Sequence, residues 1–167
     1  MKDIQYIYRK IVWRLFKKNR EFVNDLFRDN GVTIGKDVRI NSNILTAESY
    51  LISIGDETTI SDHVAFVTHD NSIAKAIMGG GDLYGRISIG SRCFIGAHTI
   101  LMYGVSLADN IIVASGSVVT KSFSESGVII AGNPAKIIGT IEAFGNKNKN
   151  KVLKLSSLPP QKKREIL

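Results

Sequence analysis

An aliphatic residue recurs every six positions in the middle of the chain, and this period constrains the fold more than any other sequence feature. Its members are Ile89, Ile95, Leu101, Leu107, Val113 and Val119. Neither an amphipathic helix, which repeats about every 3.6 residues, nor a half-buried strand, which repeats every two, fits this spacing. We interpret each unit as a short β-segment with an inward aliphatic side chain, followed by a turn at a small residue. Three units would complete a triangular coil, and stacked coils would share one core.

The same grid occurs earlier in the chain, at Ile34 and Ile40 and, shifted by two positions, at Ile54, Ile60 and Phe66. Grouped in threes, the units predict coils near residues 34–53, 54–71, 89–106 and 107–124.

One step of the grid is too long. Ile89 follows Phe66 by 23 residues where six are due, so 17 residues are inserted. We predict a loop over about 72–88, at a coil corner, with Gly79–Gly81 as its flexible part.

The charge of the chain is concentrated at its ends. The net charge is +7, but residues 1–30 carry eight Lys/Arg against four Asp/Glu, and residues 145–167 carry seven against one. Residues 31–144 carry seven against ten, a net charge of −3. This distribution argues against a nucleic-acid-binding core and leaves anionic ligands or surfaces as partners of the termini.

The chain length and the N-terminal sequence bound the class of protein. At 167 residues the chain fits one domain with a continuous core. Residues 1–22 contain no uncharged run long enough for a signal peptide or a membrane span. A single cysteine, Cys93, allows no internal disulfide, so we expect a cytoplasmic protein.

The pattern "IGSRCFIGAHTILMYGVSLADNIIVASGSVVTKS", followed by "IIAGNPAKIIG", resembles the hexapeptide-repeat acyltransferases. Within them it is similar to the sugar and polysaccharide O-acetyltransferases related to galactoside and maltose acetyltransferases. The resemblance covers roughly residues 31–140. It implies an all-β fold, a left-handed parallel β-helix in the form of a triangular solenoid. It also implies a homotrimer with acetyl-CoA bound between adjacent subunits and no required metal.

The candidate base for acetyl transfer is a histidine, whose ordinary pKa lies near the working pH. His63, His69 and His98 all fall at the fourth position of a repeat unit, where a corner is expected. His69 precedes the inserted loop, and "VTHDNS" is similar to the family segment that bears the catalytic histidine. We therefore predict His69 as general base. Asp70 and Asn71 are predicted to bind the acceptor, although Asp70 is equally explained as a turn residue.

The remaining reactive residues have more ordinary explanations. For His98 a packing role is favoured over catalysis, and for His63 acceptor contact and an exposed corner stay open. Cys93 occupies an inward position, where a buried thiol keeps its proton, so we expect direct transfer without an acetyl-enzyme. The three histidines lack the spacing expected of a zinc site.

The resemblance also implies the residues that bind acetyl-CoA. Ala97, Ser115, Thr120 and Lys121 would line the pantetheine arm, with backbone N–H groups of Ala97 and Ser115 near the thioester. Lys136, in "GNPAK", would reach the phosphates, which attract cations. This chain lacks the arginine that many relatives carry after the proline motif.

Both ends are predicted to lie outside the solenoid. Residues 1–30 form an N-terminal helical cap, 31–140 the β-helix and 141–167 a basic C-terminal tail. Apolar residues at helical spacing in the first segment are Ile4, Ile7, Tyr8, Ile11, Leu15 and Phe16. This helix either caps the open end of the solenoid, the interpretation we favour, or rests on an anionic membrane.

The sequence thus predicts an acetyl-CoA-dependent O-acetyltransferase acting on a sugar hydroxyl in capsule, O-antigen or exopolysaccharide modification. An N-acetyltransferase of an amino sugar and an antibiotic acetyltransferase stay open as alternatives on the same fold. A non-catalytic hexapeptide-repeat scaffold is the alternative from another class.

Overall fold

The computed structural model describes residues 2–16, 21–155 and 158–166, and within the first helix the side chains of Lys2, Trp13, Leu15 and Phe16 lie outside the described part. Its helices are α1 (Lys2–Phe16), α2 (Glu21–Asp29), α3 (Ile141–Asn148) and α4 (Pro160–Ile166). Its strands are β1 (Thr33–Ile34), β2 (Arg39–Ile40), β3 (Ile52–Ile54), β4 (Thr59–Ile60), β5 (Ala65–Phe66), β6 (His69–Asp70), β7 (Leu83–Tyr84), β8 (Ile87–Ile89), β9 (Phe94–Ile95), β10 (Ile100–Leu101), β11 (Ser106–Leu107), β12 (Ile112–Val113), β13 (Val118–Val119), β14 (Val128–Gly132) and β15 (Ala135–Thr140).

The strands form a parallel β-helix whose chain visits three sheets in turn. The first face is β1, β3, β8 and β11; the second runs from β2 through β4, β9 and β12 to the β14–β15 hairpin; the third is β5, β10 and β13. Neighbouring coils pair in parallel, for example Ile60 with Ile95 and Leu101 with Val119. The predicted parallel β-helix is confirmed, but helices at both ends make "all-β" only approximate.

The six-residue grid is the core of the solenoid. Ile89, Ile95, Leu101, Leu107, Val113 and Val119 are all buried, with at most 4% of each residue exposed. Ile54 pairs with Ile89 in the next coil, although 35 residues separate them. A regular coil accounts for 18 of these residues, so 17 extra residues lie between the paired strands.

The corners of the coils occupy the predicted fourth position of each unit. Left-handed backbone, with φ of 54 to 59°, occurs at Asp37, Glu57, His63, Arg92, His98 and Asn110. Gly104 and Gly116 take the corresponding places elsewhere on the grid, with φ of 79° and 73°. We call the corner between the third and first faces the loop edge (67–71, 102–105 and 120–122) and the corner between the second and third faces the pair edge (61–64, 96–99 and 114–117).

The N-terminal helices cover the first coil, and α2 makes the apolar contact. Val23 and Phe27 of α2 are buried in the same cluster as the solenoid core. The Asn24 side chain donates to the Val38 carbonyl at 2.9 Å. Helix α1 lies on this layer through Tyr6, whose ring is 5.8 Å from that of Phe27.

The C-terminal segment leaves the solenoid as a hairpin followed by helices. β14 and β15 pair antiparallel, and the "AGNPAK" segment forms their turn, with Gly132 opposite Ala135. The Thr140 side chain caps α3 by accepting from the Ala143 N–H at 3.2 Å. Residues 145–151, within the predicted basic tail, are helical, as the end of α3 and a 3₁₀ turn. Over the described ranges, the chain contains no helix long and apolar enough to span a bilayer.

Candidate active site

His69 stands where the inserted loop leaves the solenoid. The grid predicts a corner there, as at His63 and His98, but His69 begins β6 and pairs antiparallel with Tyr84 of β7. The insertion therefore replaces the turn that would otherwise carry the chain to the next face. About 44% of the His69 side chain is exposed, so an acceptor can reach the ring.

Glu48, one coil below, holds the imidazole. Its Oε2 lies 2.9 Å from Nδ1 of His69, and only 14% of the Glu48 side chain is exposed. With the proton on Nδ1, the ring donates to the carboxylate and Nε2 keeps its lone pair. This is the tautomer that a general base requires.

Threonines fix the carboxylate in turn. Thr68 donates to Oε2 of Glu48 at 2.8 Å and Thr46 donates at 3.3 Å, and the two hydroxyls also contact each other. The hydrogen bond from Thr68, followed by that from His69, lowers the pKa of Glu48 below its usual value. Glu48 is therefore ionised at neutral pH and restrained in one orientation.

The loop brings a second polar cluster beside His69. The Tyr84 ring lies 5.7 Å from the His69 ring, and its hydroxyl donates to Asp82 at 3.1 Å. That hydrogen bond raises the pKa of Tyr84, so the phenol stays protonated. The Asn71 amide donates to the other oxygen of Asp82 at 2.6 Å and ties the start of the loop to its end.

Asp70 shapes the loop. Its Oδ1 accepts from the Ser72 N–H at 2.8 Å and caps the 3₁₀ turn Asn71–Lys75. Hydrogen bonding from Ser72 lowers the pKa of Asp70. This contact corresponds to the turn role considered for Asp70. The carboxylate that contacts the His69 imidazole belongs to Glu48.

His63 and His98 stack on each other at the pair edge, with ring centroids 4.9 Å apart. Nδ1 of His63 lies 3.1 Å from Oδ2 of Asp62, and the His98 N–H donates to the Asp62 carbonyl at 3.1 Å. Within the described part of the chain no three His, Cys, Asp or Glu residues converge as metal ligands.

The predicted acetyl-CoA residues divide between two edges. Thr120 and Lys121 follow β13 on the loop edge, two coils from His69, or about 10 Å at the usual strand spacing. Lys121 and Lys136 line one cavity of about 280 Å³, together with Glu125. Two cations thus face a common space outside the solenoid.

Ala97 and Ser115 instead lie on the pair edge. The Ala97 carbonyl accepts from the Gly116 N–H at 2.8 Å, which stacks these corners in consecutive coils. The third face separates this edge from His69, and one side of a coil, about six residues including its turn, spans about 15–20 Å. A single chain therefore does not bring Ala97 and Ser115 to His69.

Cys93 lies inside the solenoid, as predicted. It is 2% exposed, and its Sγ is 3.2 Å from the Ala108 carbonyl. Burial raises the pKa of the thiol, so the nucleophilic thiolate is disfavoured.

Sequence reasoning missed Glu48, Asp82 and Tyr84. Glu48 precedes His69 by 21 residues, close to the 20 that separate the paired Ile34 and Ile54. This spacing is a usable signal, because residues one coil apart stack. Asp82 and Tyr84 reach the site through the antiparallel β6–β7 pairing, for which the six-residue grid gives no register.

Comparison with known proteins identifies the family. Residues 86–121 match the family described as the hexapeptide repeat of succinyl-transferase. Protein CapG of Staphylococcus aureus is 40% identical over 144 residues, which cover 83% of this chain and 82% of that protein. The chain belongs to the hexapeptide-repeat acetyltransferase family. As a member of this family, the protein is an acyltransferase.

Two further comparisons give one more similar sequence and one similar fold. Galactoside O-acetyltransferase of Escherichia coli is 29% identical over 113 residues, covering 67% of this chain but only 55% of that protein. A hexapeptide-repeat acetyltransferase of Vibrio cholerae, solved with acetyl coenzyme A, superposes with a TM-score of 0.63 at 20% identity. That match covers 81% of this chain and 85% of the other and shows the common fold.

Proposed function

We propose that this acetyltransferase moves an acetyl group from acetyl-CoA to a sugar hydroxyl, with His69 as general base. The observation that carries the proposal is the 2.9 Å contact between Nδ1 of His69 and Glu48, on a ring that is open to solvent. The O-acetyltransferase name of one relative and the acetyl coenzyme A in one solved structure support the reaction and the donor.

The chemistry follows from the orientation of the imidazole. Nε2 accepts the proton of the acceptor hydroxyl as the hydroxyl oxygen bonds to the acetyl carbon, and Glu48 stabilises the imidazolium that forms. Acetyl-CoA supplies the activated acyl group, and its C–S bond breaks as the ester bond forms. The imidazolium then returns the proton to the departing sulfur, so the products are the acetyl ester and CoA.

Direct transfer agrees with the position of the cysteine. The Cys93 thiol is buried and its pKa is raised, so it cannot take up an acetyl group without disrupting the core. The hydroxyl therefore attacks the thioester itself, with no covalent enzyme intermediate.

The basic cavity fits the phosphates of the donor. Lys121 and Lys136 line it together, and Lys121 lies on the same edge as His69. We assign the phosphates to these lysines, the adjoining part of the pantetheine arm to Thr120, and the acyl end to the neighbourhood of His69.

The separation of the two edges supports a site between subunits. Ala97 and Ser115 are the residues assigned to backbone contact near the thioester, yet they lie across the third face from His69. A neighbouring copy can present its pair edge to the loop edge of the first. A left-handed β-helix assembled as a homotrimer would provide three such sites.

The cluster beside His69 supports a polyhydroxylated acceptor. Asp82, Asn71 and the Tyr84 hydroxyl supply hydrogen-bonding groups, and the exposed Tyr84 ring supplies an apolar surface on which a sugar ring can lie. We place the acceptor between this cluster and His69. The reaction would then serve the synthesis of a modified polysaccharide.

A CoA-release screen tests the proposal. Purified protein with acetyl-CoA would be offered simple sugars, amino sugars and nucleotide sugars, and products treated with mild base, which cleaves esters and spares amides. Base-labile acetylation of a sugar, lost in His69→Ala, supports the proposal. A base-stable product identifies an N-acetyltransferase, and failure to bind acetyl-CoA would favour the scaffold alternative.

A further inference from the structure

Helix α1 presents an apolar stripe to solvent. Ile4, Ile7, Tyr8 and Ile11 are 72%, 55%, 64% and 51% exposed, respectively. They occupy positions i, i+3, i+4 and i+7, which places them on one face of the helix. Four of the six apolar residues noted at helical spacing in this segment therefore face solvent rather than the solenoid.

The opposite face of α1 is anchored to the protein. The Tyr6 hydroxyl donates to the Asn41 carbonyl at 2.7 Å, and the Arg9 guanidinium donates to the Phe22 carbonyl at 2.8 Å. Asp3 accepts from the Asn43 amide at 2.8 Å, which engages the only acidic side chain in residues 1–20. These contacts fix the rotation of the helix and hold the stripe outward.

The charge of the segment is strongly positive. Residues 1–20 contain seven Lys/Arg and one Asp, whereas residues 31–144 have a net charge of −3. Arg14 is exposed and follows Ile7 by seven residues and Ile11 by three, so it borders the stripe. An apolar stripe with a cationic border is the pattern of helices that lie in the headgroup region of anionic membranes.

We propose that α1 docks the enzyme on the surface of an anionic bilayer, with Ile4, Ile7, Tyr8 and Ile11 inserted among the lipids and Arg14 on the headgroups. The solenoid would then stand on the membrane with its N-terminal coil nearest the lipid. Pairing of the stripe with the stripe of a second copy is disfavoured, because it would bring together two segments of net charge +6. This inference concerns where the enzyme works and is independent of which acceptor it uses.

Vesicle flotation of the full-length protein tests the proposal. Vesicles of phosphatidylcholine with phosphatidylglycerol would be compared with phosphatidylcholine alone, using wild type, Ile7→Asp and Arg14→Glu. Ile138→Asp is the matched control, because Ile138 is exposed to 65% on β15 and gains the same charge. Far-UV circular dichroism would verify the fold of each variant.

We expect the wild type and Ile138→Asp to float with anionic vesicles only. Ile7→Asp should reduce the partition coefficient by at least about tenfold and Arg14→Glu by roughly tenfold. Binding should weaken in 0.5 M salt, which shortens the Debye length to about 4 Å. No flotation of wild type, or an equal loss in Ile7→Asp and Ile138→Asp, overturns the proposal. A lower oligomeric mass of Ile7→Asp in sedimentation, without vesicle binding by wild type, would assign the stripe to a protein interface.

Discussion

Leu101→Ala tests whether the six-residue grid holds the solenoid together. Leu101 is fully buried and pairs in register with Phe66 in one neighbouring coil and Val119 in the other. The substitution removes three carbon atoms, worth about 2–2.5 kcal/mol of transfer free energy at ~0.8 kcal/mol per carbon. The residual cavity adds to this loss, because the paired coils above and below keep neighbouring side chains from filling it. We therefore expect the free energy of unfolding to fall by about 3–4 kcal/mol, within the ~2–5 kcal/mol typical of such sites.

The assay is urea unfolding followed by far-UV circular dichroism, at one fixed protein concentration because assembly contributes to apparent stability. Leu45→Ala makes the same chemical change at a side chain that is 58% exposed, and it should cost less than about 0.5 kcal/mol. A loss below about 1 kcal/mol for Leu101→Ala, or equal losses for both variants, would refute the reasoning.

Three further experiments probe the site and the core. Glu48→Gln should lower kcat about 10–100-fold, because the ring loses its orienting charge, with little change in the KM for acetyl-CoA. The pKa of Glu48 is lowered in the folded protein, so the ionised carboxylate stabilises the fold at neutral pH. This contribution is lost as the pH falls through the lowered pKa. The difference in unfolding free energy between wild type and Glu48→Gln should therefore shrink in acid. Cys93 should resist iodoacetamide at neutral pH in native protein and react in urea, and rapid native labelling would contradict its burial. Lys121→Ala with Lys136→Ala should raise the KM for acetyl-CoA about tenfold or more but leave turnover of acetyl-pantetheine, which carries no phosphate, unchanged. Lys36→Ala is the exposed control. Equal effects on both donors would exclude a phosphate role.

The solenoid was readable from the sequence because its core is periodic. Each grid residue from Ile89 to Val119 points inward, and an interruption such as the 17-residue insertion can be counted against the grid. The corner positions followed from the same spacing, since the fourth residue of each unit must turn the chain. His69 was singled out because it lies where the grid stops.

The contacts that position His69 were not readable, because they lie off the grid. Glu48 belongs to the irregular third side of the first coil, where Thr46 and the short turn Ser49–Leu51 replace a strand. Tyr84 depends on an antiparallel pairing inside the loop. Pattern alone likewise could not orient α1, because its apolar stripe fits a cap as well as a lipid surface. Which face of the helix turns outward depends on contacts such as that of Tyr6 with Asn41.

The central claim, that His69 takes the acceptor proton, is tested most directly by a single-turnover measurement of acetyl transfer with His69→Ala and the acceptor found by screening. The account predicts that the variant binds acetyl-CoA as the wild type does and retains its circular dichroism spectrum, while transfer slows by about 10²–10⁴-fold. Transfer at the wild-type rate by a folded His69→Ala protein would contradict the mechanism.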